Sequence, residues 1–398
     1  MQELLTNTKT AFKYKSTKDL KLAKWIYGIM HKYPDLVLVL SELGMFAVKW
    51  KLPFAEKVVY NTFYKVFCGG KDLKDCISVI DNLNAFGVET VLDYGAEAKD
   101  SEEEYEAVTQ EFLKAIRFAG KHESIPLISM KTTAIADFEL LEKYSEPSSI
   151  KTPQEVIDWE RVKARFELIC QTAHENKVSI FVDAEESWIQ GALDSMVLDM
   201  MRKYNTDFPT LYNTYQMYLK SSLKRLTSQY EEMQKSGLFF GAKIVRGAYM
   251  DKESARAEKL GLEDPIYATK GDTDDAYNEA ILFCFQHRDD LSFCCASHNR
   301  ESCIMLLELI KENKVENHPN ISFCQLYGMS DNLTFNLATQ GVRSMKYLPY
   351  GSVQNTFPYL VRRAQENTSI TNDASREYLM LSEELEQREK AKRKTIES

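Results

Sequence analysis

The spacing of apolar residues divides the chain into a helical beginning and a longer alternating part. The stretches LAKWIYGIMHKY (22–33) and FAEKVVYNTFYKVF (54–67) place their apolar side chains with the period of an α-helix. Pro34 and Pro53 fall where turns between helices are expected. Residues 1–86 are therefore predicted to form an N-terminal helical region.

Two further segments are predicted to be helical. The most apolar early stretch, residues 36–50, is interrupted by Ser41, Glu42 and Lys49 and is too short and too polar to span a bilayer. We expect it to be a buried helix. Residues 372–398 are strongly charged and are predicted to form a C-terminal helix or tail.

From Val88 onward, short β-rich runs alternate with longer helical segments. Helical spacing returns between the runs, for example over 102–122, 159–176 and 300–313. Eight strands that alternate with helices predict a parallel (βα)8 barrel of the α/β class, which we assign to residues 87–371. The eight runs are residues 88–95, 125–132, 178–186, 210–216, 241–249, 291–299, 321–328 and 343–351, of which 210–216 equally suits part of a helix.

An open, doubly wound sheet is the competing α/β architecture. Sheets of that kind that bind dinucleotides usually carry a glycine-rich loop after the first strand. The chain contains no G-x-G-x-x-G and no G-x-x-x-x-G-K-[ST] sequence. The barrel is therefore favoured.

Composition and charge narrow the class of protein. The chain has 398 residues, of which 44% are hydrophobic and 27% charged, as in globular proteins with a sizeable core. A net charge of −9 disfavours a general role in nucleic-acid binding. The eight cysteines include no C-x-x-C pair, so we expect buried free thiols rather than disulfides or zinc.

Polar and charged residues stand at the ends of nearly all the predicted strands. In a βα barrel the C-terminal strand ends form one rim, and active sites lie there. The mixture of acidic and basic residues suits an anionic ligand better than a divalent metal ion, so no metal is expected. These residues are Asp93, Glu97, Lys131, Asp183, Glu185, Glu186, Gln216, Arg246, His298, Asn299, Gln325 and Tyr347.

Several segments of the chain resemble the FAD-dependent proline dehydrogenases. They are FVDAEE, KIVRGAYMDKE, DPIYATKGDTDDAYNEA, ASHN, QLYGMSDN and KYLPYGSVQNTFPYLVRRAQENTS, in that order. The resemblance covers about residues 60–371. It implies a distorted (βα)8 TIM-like barrel that oxidises L-proline to Δ1-pyrroline-5-carboxylate by hydride transfer to FAD, with a quinone as the electron acceptor.

The resemblance also implies a substrate site. Its catalytic set is Lys131, Asp183, Tyr347, Arg362 and Arg363, in which the three cations clamp the proline carboxylate. Tyr347 and Leu326 would form an apolar wall against the ring, and Glu97 a gate that pairs with Arg362. From the residues alone other interpretations stand: an exposed Arg362–Glu366 pair, an ion pair between Lys131 and Asp183, and a core position for Tyr347.

The FAD site is implied in the same way. Many bacterial relatives have arginine at the position of Lys243, and lysine offers only a compact point charge there. A lone histidine such as His298 is otherwise more often structural than catalytic. The implied cofactor residues are Asp183, Gln216, Lys243, Arg246, Gly247, Ala248, Thr269, Lys270, Thr273, His298, Asn299, Gln325, Glu366 and Ser369.

The chain shows no segment typical of a DNA-binding or aldehyde dehydrogenase domain, so we expect a monofunctional enzyme. It would deliver its product to a separate pyrroline-5-carboxylate dehydrogenase. The N-terminus has neither a signal-peptide pattern nor the pattern of a mitochondrial transit peptide. We therefore expect a bacterial cytoplasmic protein, with peripheral contact to a quinone-bearing membrane. The alternatives are a hydroxyproline dehydrogenase of the same fold, and a flavin-free βα barrel that binds an amino acid or phosphate.

Overall fold

The computed structural model describes residues 11–37, 43–44, 47, 50, 54–95, 99–369 and 373–397. The N-terminal part is helical, as predicted. Ser16 caps the first helix by accepting a hydrogen bond from the Asp19 amide at 3.2 Å. The helices of this part are α1 (Thr17–Lys32), α2 (Ala55–Val59), α3 (Lys65–Phe67) and α4 (Leu73–Asn84), with a π-helical turn, Tyr60–Tyr64, between α2 and α3.

The predicted buried helix at 36–50 is not confirmed. Most of this stretch lies outside the described residues. Among the described positions, residues 36, 37, 43, 44 and 47 are helical, and Val37 is buried. Leu36, Leu43 and Trp50 are exposed, so these large apolar side chains do not contribute to the core.

All eight predicted strands are present, including the uncertain one at 210–216. Every neighbouring pair is parallel, and the last strand pairs with the first, which closes the barrel. The open-sheet alternative is therefore wrong. The strands are β1 (Val88–Tyr94), β2 (Leu127–Lys131), β3 (Ser179–Asp183), β4 (Leu211–Gln216), β5 (Phe240–Val245), β6 (Leu291–Ala296), β7 (Ile321–Leu326) and β8 (Ser344–Tyr350).

Helices surround the barrel. The longest of those between strands begins with a capping box, in which Thr152 and Glu155 satisfy each other's backbone amides. The barrel helices are α5 (Glu102–Ala119), α6 (Phe138–Ser145), α7 (Pro153–Glu175), α8 (Gln190–Tyr204), α9 (Ser222–Gln234), α10 (Met250–Leu260), α11 (Lys270–Gln286), α12 (Arg300–Asn313), α13 (Asp331–Ala338) and α14 (Val353–Ser369). A final helix, α15 (Asp373–Glu397), follows.

Side chains fill the inside of the barrel. Phe181 and Tyr212 meet edge to face there, with ring centroids 5.2 Å apart. A larger apolar core lies between the strands and the surrounding helices. All eight cysteines are buried and free, as expected.

The two ends of the chain pack on each other. The Ser375 hydroxyl of α15 lies 2.7 Å from Nδ1 of His31, and Arg388 donates to the carbonyl of Lys15 at 2.9 Å. These contacts pair the start of α15 with the end of α1, so the two helices run antiparallel. A second apolar core joins them to the start of α14 and to the turn after β7. Within the described residues, no helix combines the length and apolar character needed to cross a membrane.

Candidate active site

Three of the predicted site residues meet at the mouth of the barrel. Lys243 of β5 and Tyr347 of β8 both donate to the carboxylate of Asp183, at 2.6 and 2.9 Å. Burial alone would lower the pKa of Lys243, but the charge of Asp183 and the hydrogen bond to it oppose burial, and the pKa is raised overall. Lys243 therefore remains a cation, and its ammonium lies 5.1 Å from the centre of the Tyr347 ring.

This arrangement corrects one interpretation of the sequence. Asp183 pairs with Lys243 rather than making the ion pair with Lys131 that strand neighbours suggested. Asp183 and Lys131 do not pair, although they are opposite each other in the parallel register of β2 and β3. The charge of Lys131 opposes the rise in the pKa of Glu185 that burial causes.

Glu185 is a rim residue to which the sequence analysis assigned no role. Its buried carboxylate accepts from the Thr133 hydroxyl at 2.7 Å and from the Thr133 amide at 3.3 Å. Burial raises its pKa to about 7, although Lys131 and Thr133 oppose the shift. Its backbone carbonyl accepts from the Gln216 side chain at 2.7 Å. The only signal in the sequence was its place in the FVDAEE strand end.

The turn after β5 packs closely against the ring of Tyr218. Gly247 has φ of 123°, and a Cβ there would lie 1.6 Å from the Tyr218 ring, so no other residue fits. The neighbouring Arg246 is held by Asp274 at 2.6 Å and Ser297 at 2.8 Å. Three of the predicted cofactor residues, Arg246, Gly247 and Ala248, therefore share one rigid corner of the rim.

The start of α11 borders the same corner. Thr269 caps this helix through a capping box with Asp272, and Lys270 donates to Asp274 at 2.5 Å. Thr273 is buried one turn further on. Thr269, Lys270 and Thr273 thus lie at the start of one helix. Lys270 and Arg246, both predicted cofactor residues, share the carboxylate of Asp274.

The ends of β6 and β7 form the next part of the rim. His298 bonds through Nδ1 to the Ser330 hydroxyl at 2.9 Å. Burial and nearby cations lower the pKa of His298 to about 3, so its ring is neutral. Asn299 caps α12 by accepting from the Ser302 amide at 3.0 Å. Gln325 is buried, and its amide group contacts the Ser297 carbonyl and the Thr334 hydroxyl.

Helix α14 brings the predicted arginines to this face. Arg363 is buried, its guanidinium lies 5.0 Å from the centre of the Tyr359 ring, and it pairs with Glu366 at 2.6 Å. Arg363 is close enough to lower the pKa of His298. Arg362 is partly buried beside it. Glu97 and the side chain of Ser369 lie outside the described residues.

A cavity of about 290 Å³ opens beside His298, between the ends of β6 and β7 and helix α15. Two arginines from different elements contribute to its lining. The lining thus offers positive charge next to a neutral imidazole. The lining residues are His298, Arg300, Ser330, Asn332, Leu333, Arg376, Met380 and Glu383.

A closed parallel barrel with charged residues at its C-terminal rim defines the class of βα-barrel proteins. Residues 76–376 match the family model described as proline dehydrogenase, and the chain belongs to that family. It is 33% identical over 371 residues to "Proline dehydrogenase 1, mitochondrial" of Dictyostelium discoideum, covering 82% of this chain and 65% of the relative.

Two further comparisons show the range of relatives. "Hydroxyproline dehydrogenase" of Xenopus laevis is 30% identical over 421 residues, covering 95% of this chain and 88% of that protein. The solved structure of proline utilization A from Bdellovibrio bacteriovorus superposes with a TM-score of 0.76 at 19% identity. That comparison covers 93% of this chain and 41% of the other, and it confirms the barrel fold.

Proposed function

We propose that this chain oxidises L-proline to Δ1-pyrroline-5-carboxylate with FAD as its cofactor. The observation that carries the proposal is the contact of Asp183 with both Lys243 and Tyr347 at the barrel mouth. These contacts hold the Tyr347 ring in place and keep the Lys243 cation at the mouth. A fixed aromatic ring beside a cation suits a small ring that carries a carboxylate.

The cations would bind the substrate. Arg362 and Arg363 enter from α14 and Lys131 from the end of β2. Charge-assisted, bidentate hydrogen bonds from guanidinium groups are the strongest way to hold a carboxylate. Binding at three points would orient the ring, and the surrounding aromatic side chains would exclude water.

The residues at the rim fit an FAD molecule. Arg246 and Lys270 supply positive charge for phosphate groups at the corner after β5. Lys243 supplies positive charge at the mouth, and Gln216 and the neutral His298 offer hydrogen bonds. When bound, the flavin accepts the hydride that leaves the carbon next to the ring nitrogen.

The ring nitrogen must be unprotonated when the hydride leaves, because its lone pair forms the C=N bond of the product. Proline can lose this proton to solvent before it binds, so no protein base is required. The chain's own residues then only bind, orient and exclude water. The product is an imine with an intact carboxylate, suited to a separate pyrroline-5-carboxylate dehydrogenase.

We also propose a quinone as the electron acceptor and peripheral contact with the membrane that contains it. Support comes from α1, where Trp25 is 53% exposed and stands between lysines, among them Lys21 and Lys24. An exposed indole beside lysines is typical of surfaces that lie on anionic lipid. A cytoplasmic location at the inner membrane of a bacterium belongs to the same proposal.

Oxidation of hydroxyproline is the second candidate, because a relative carries that name. The buried ring of Tyr347 argues against it, since the ring would occupy the space that a 4-hydroxyl group needs. Purified protein should show a flavin spectrum, and anaerobic L-proline should bleach it faster than trans-4-hydroxyproline. A colourless protein would instead indicate the flavin-free barrel, and faster bleaching by hydroxyproline would reverse the substrate assignment.

A further inference from the structure

The turn between β7 and α13, residues 327–330, is held by side chains from distant parts of the chain. Tyr27 of α1 donates to the Gly328 carbonyl at 2.8 Å, and Glu377 of α15 accepts from the Ser330 amide at 3.0 Å. Ser330 has φ of 49°, a left-handed conformation that costs energy for a residue with a Cβ. The surrounding contacts therefore keep this turn in a conformation that it would not adopt alone.

A buried ionic cluster lies directly after the turn. The Asp331 carboxylate accepts from the Tyr14 hydroxyl at 2.7 Å and from the Lys15 ammonium at 2.8 Å. Its other oxygen lies 2.9 Å from the ammonium of Lys346 on β8, which is fully buried. Burial would raise the pKa of Asp331, but the two lysines lower it to about 2. The cluster therefore joins the N-terminal segment to the barrel.

Lys346 connects this cluster to the proposed substrate wall. Its ammonium donates to the Met329 carbonyl at 2.6 Å and to the Leu326 carbonyl at 3.3 Å. Leu326 and Tyr347, the next residue after Lys346, are the two wall residues. The Tyr327 amide also donates to the Tyr347 carbonyl at 2.9 Å. A shift of Lys346 would therefore move both sides of the wall.

The N-terminal segment is itself anchored. Arg388 of α15 donates to the carbonyls of Phe12 and Lys15, at 2.8 and 2.9 Å. Asn82 of α4 donates to the Tyr14 carbonyl at 2.6 Å. Lys15 thus reaches Asp331 from a backbone fixed by two other helices, so its position is set before any ligand binds.

We propose that Tyr14 and Lys15 are positioning residues for the substrate wall, acting through Asp331 and Lys346. Without Lys15, Asp331 and Lys346 remain a charge-balanced pair, so the barrel still folds. Asp331 then loses an anchor and can turn toward Lys346, which loosens the bonds of Lys346 to the carbonyls of the turn. The substrate named in this inference rests on the proposed function, whereas the expected motion of the turn does not depend on it.

The test compares Lys15→Met with wild-type holoprotein. We expect hydrogen exchange in residues 326–333 to become about tenfold faster, because the turn opens more often. The KM for proline should rise about fivefold while kcat stays within about twofold, since the wall binds but does not react. Lys15→Arg should restore both values. Lys18→Met, a change at an exposed lysine of α1, is the matched control and should change neither.

The two measurements separate the inference from the proposed function. If the wild type does not oxidise proline, the proposed function is wrong, and exchange in the turn still tests the anchoring by Lys15. Unchanged exchange and KM in Lys15→Met would overturn the inference, as would a loss confined to kcat. If Lys15→Met does not fold, Tyr14→Phe removes a single hydroxyl from Asp331, and the same exchange and KM criteria decide.

Discussion

At the scale of single residues, the structure of the barrel mouth depends on which charged groups form pairs. Asp183 accepts from two side chains that are 60 and 164 residues away in the chain. Its two oxygens therefore fix the Lys243 ammonium and the Tyr347 hydroxyl at the same time. The roles of the Tyr347 hydroxyl and of its ring can be tested separately, because the two groups have different contacts.

We predict that Tyr347→Ser shifts preference from proline toward trans-4-hydroxyproline. Loss of the ring removes apolar contact worth about 1–3 kcal/mol for proline and opens space for a hydroxyl group. The measurement is the ratio of kcat/KM for the two substrates. Tyr347→Phe, which keeps the ring and loses only the hydroxyl, is the control and should keep the wild-type preference. An unmoved ratio in Tyr347→Ser would assign Tyr347 to the core alone.

At the scale of elements, helix starts supply several of the rim residues. Thr269 and Asn299 cap α11 and α12, and Arg246 bridges the two helices through Asp274 and Ser302. Capping requires the same small polar residues that contact phosphate groups, because both tasks use unpaired amides at a helix N-terminus. A stability measurement alone would therefore not separate the two roles at Thr269.

We predict that Thr269→Ala lowers both stability and flavin content. Loss of the cap should cost about 1 kcal/mol of unfolding free energy. Thr152→Ala removes the equivalent cap of α7, which belongs to no predicted site. It should cost a similar amount while flavin content stays at the wild-type level. Equal flavin content in both variants would contradict a cofactor role for Thr269 and leave it as a helix cap.

At the scale of the whole molecule, stability depends on buried ionisable groups that link separate elements. Burial raises the pKa of both Glu185 and Glu377 to about 7. Burial lowers that of His298, so this ring affects stability mainly under acidic conditions. For a carboxyl group with a raised folded-state pKa, the folded protein holds its proton more tightly than the unfolded chain. Its contribution to stability is then present at about pH 4.5 and is lost as pH rises through about 7.

We predict that Glu185→Gln changes the pH dependence of stability. The neutral amide removes the cost of ionising a buried carboxyl, which is on the order of 3 kcal/mol above pH 7. Relative to wild type, the variant should therefore gain stability between pH 5 and pH 8. Denaturant unfolding at both values measures the difference. Glu139→Gln, on the exposed side of α6, is the control. An equal gain in the stability of Glu185→Gln at both pH values would contradict a raised pKa for Glu185.

The pattern of apolar and polar residues was enough to predict the architecture of the barrel. Eight β-rich runs separated by helical spacing were enough to predict the closed barrel. The spacing of apolar residues shows which faces of the strands and helices are buried. Polar residues at the strand ends located the rim for the same reason. The resemblance in segments such as VRGAY and YLPYG then indicated the family.

The pairing of side chains follows from the three-dimensional fold. The sequence suggested Lys131 as an alternative ion-pair partner of Asp183, and the fold pairs Asp183 with Lys243. Glu185 stood out only as a polar residue at a strand end, and the cluster around Asp331 gave no local signal. Their partners come from other strands and from both ends of the chain. Local periodicity depends on neighbours three or four residues apart, whereas charge pairing across a barrel depends on distances set only when the sheet closes.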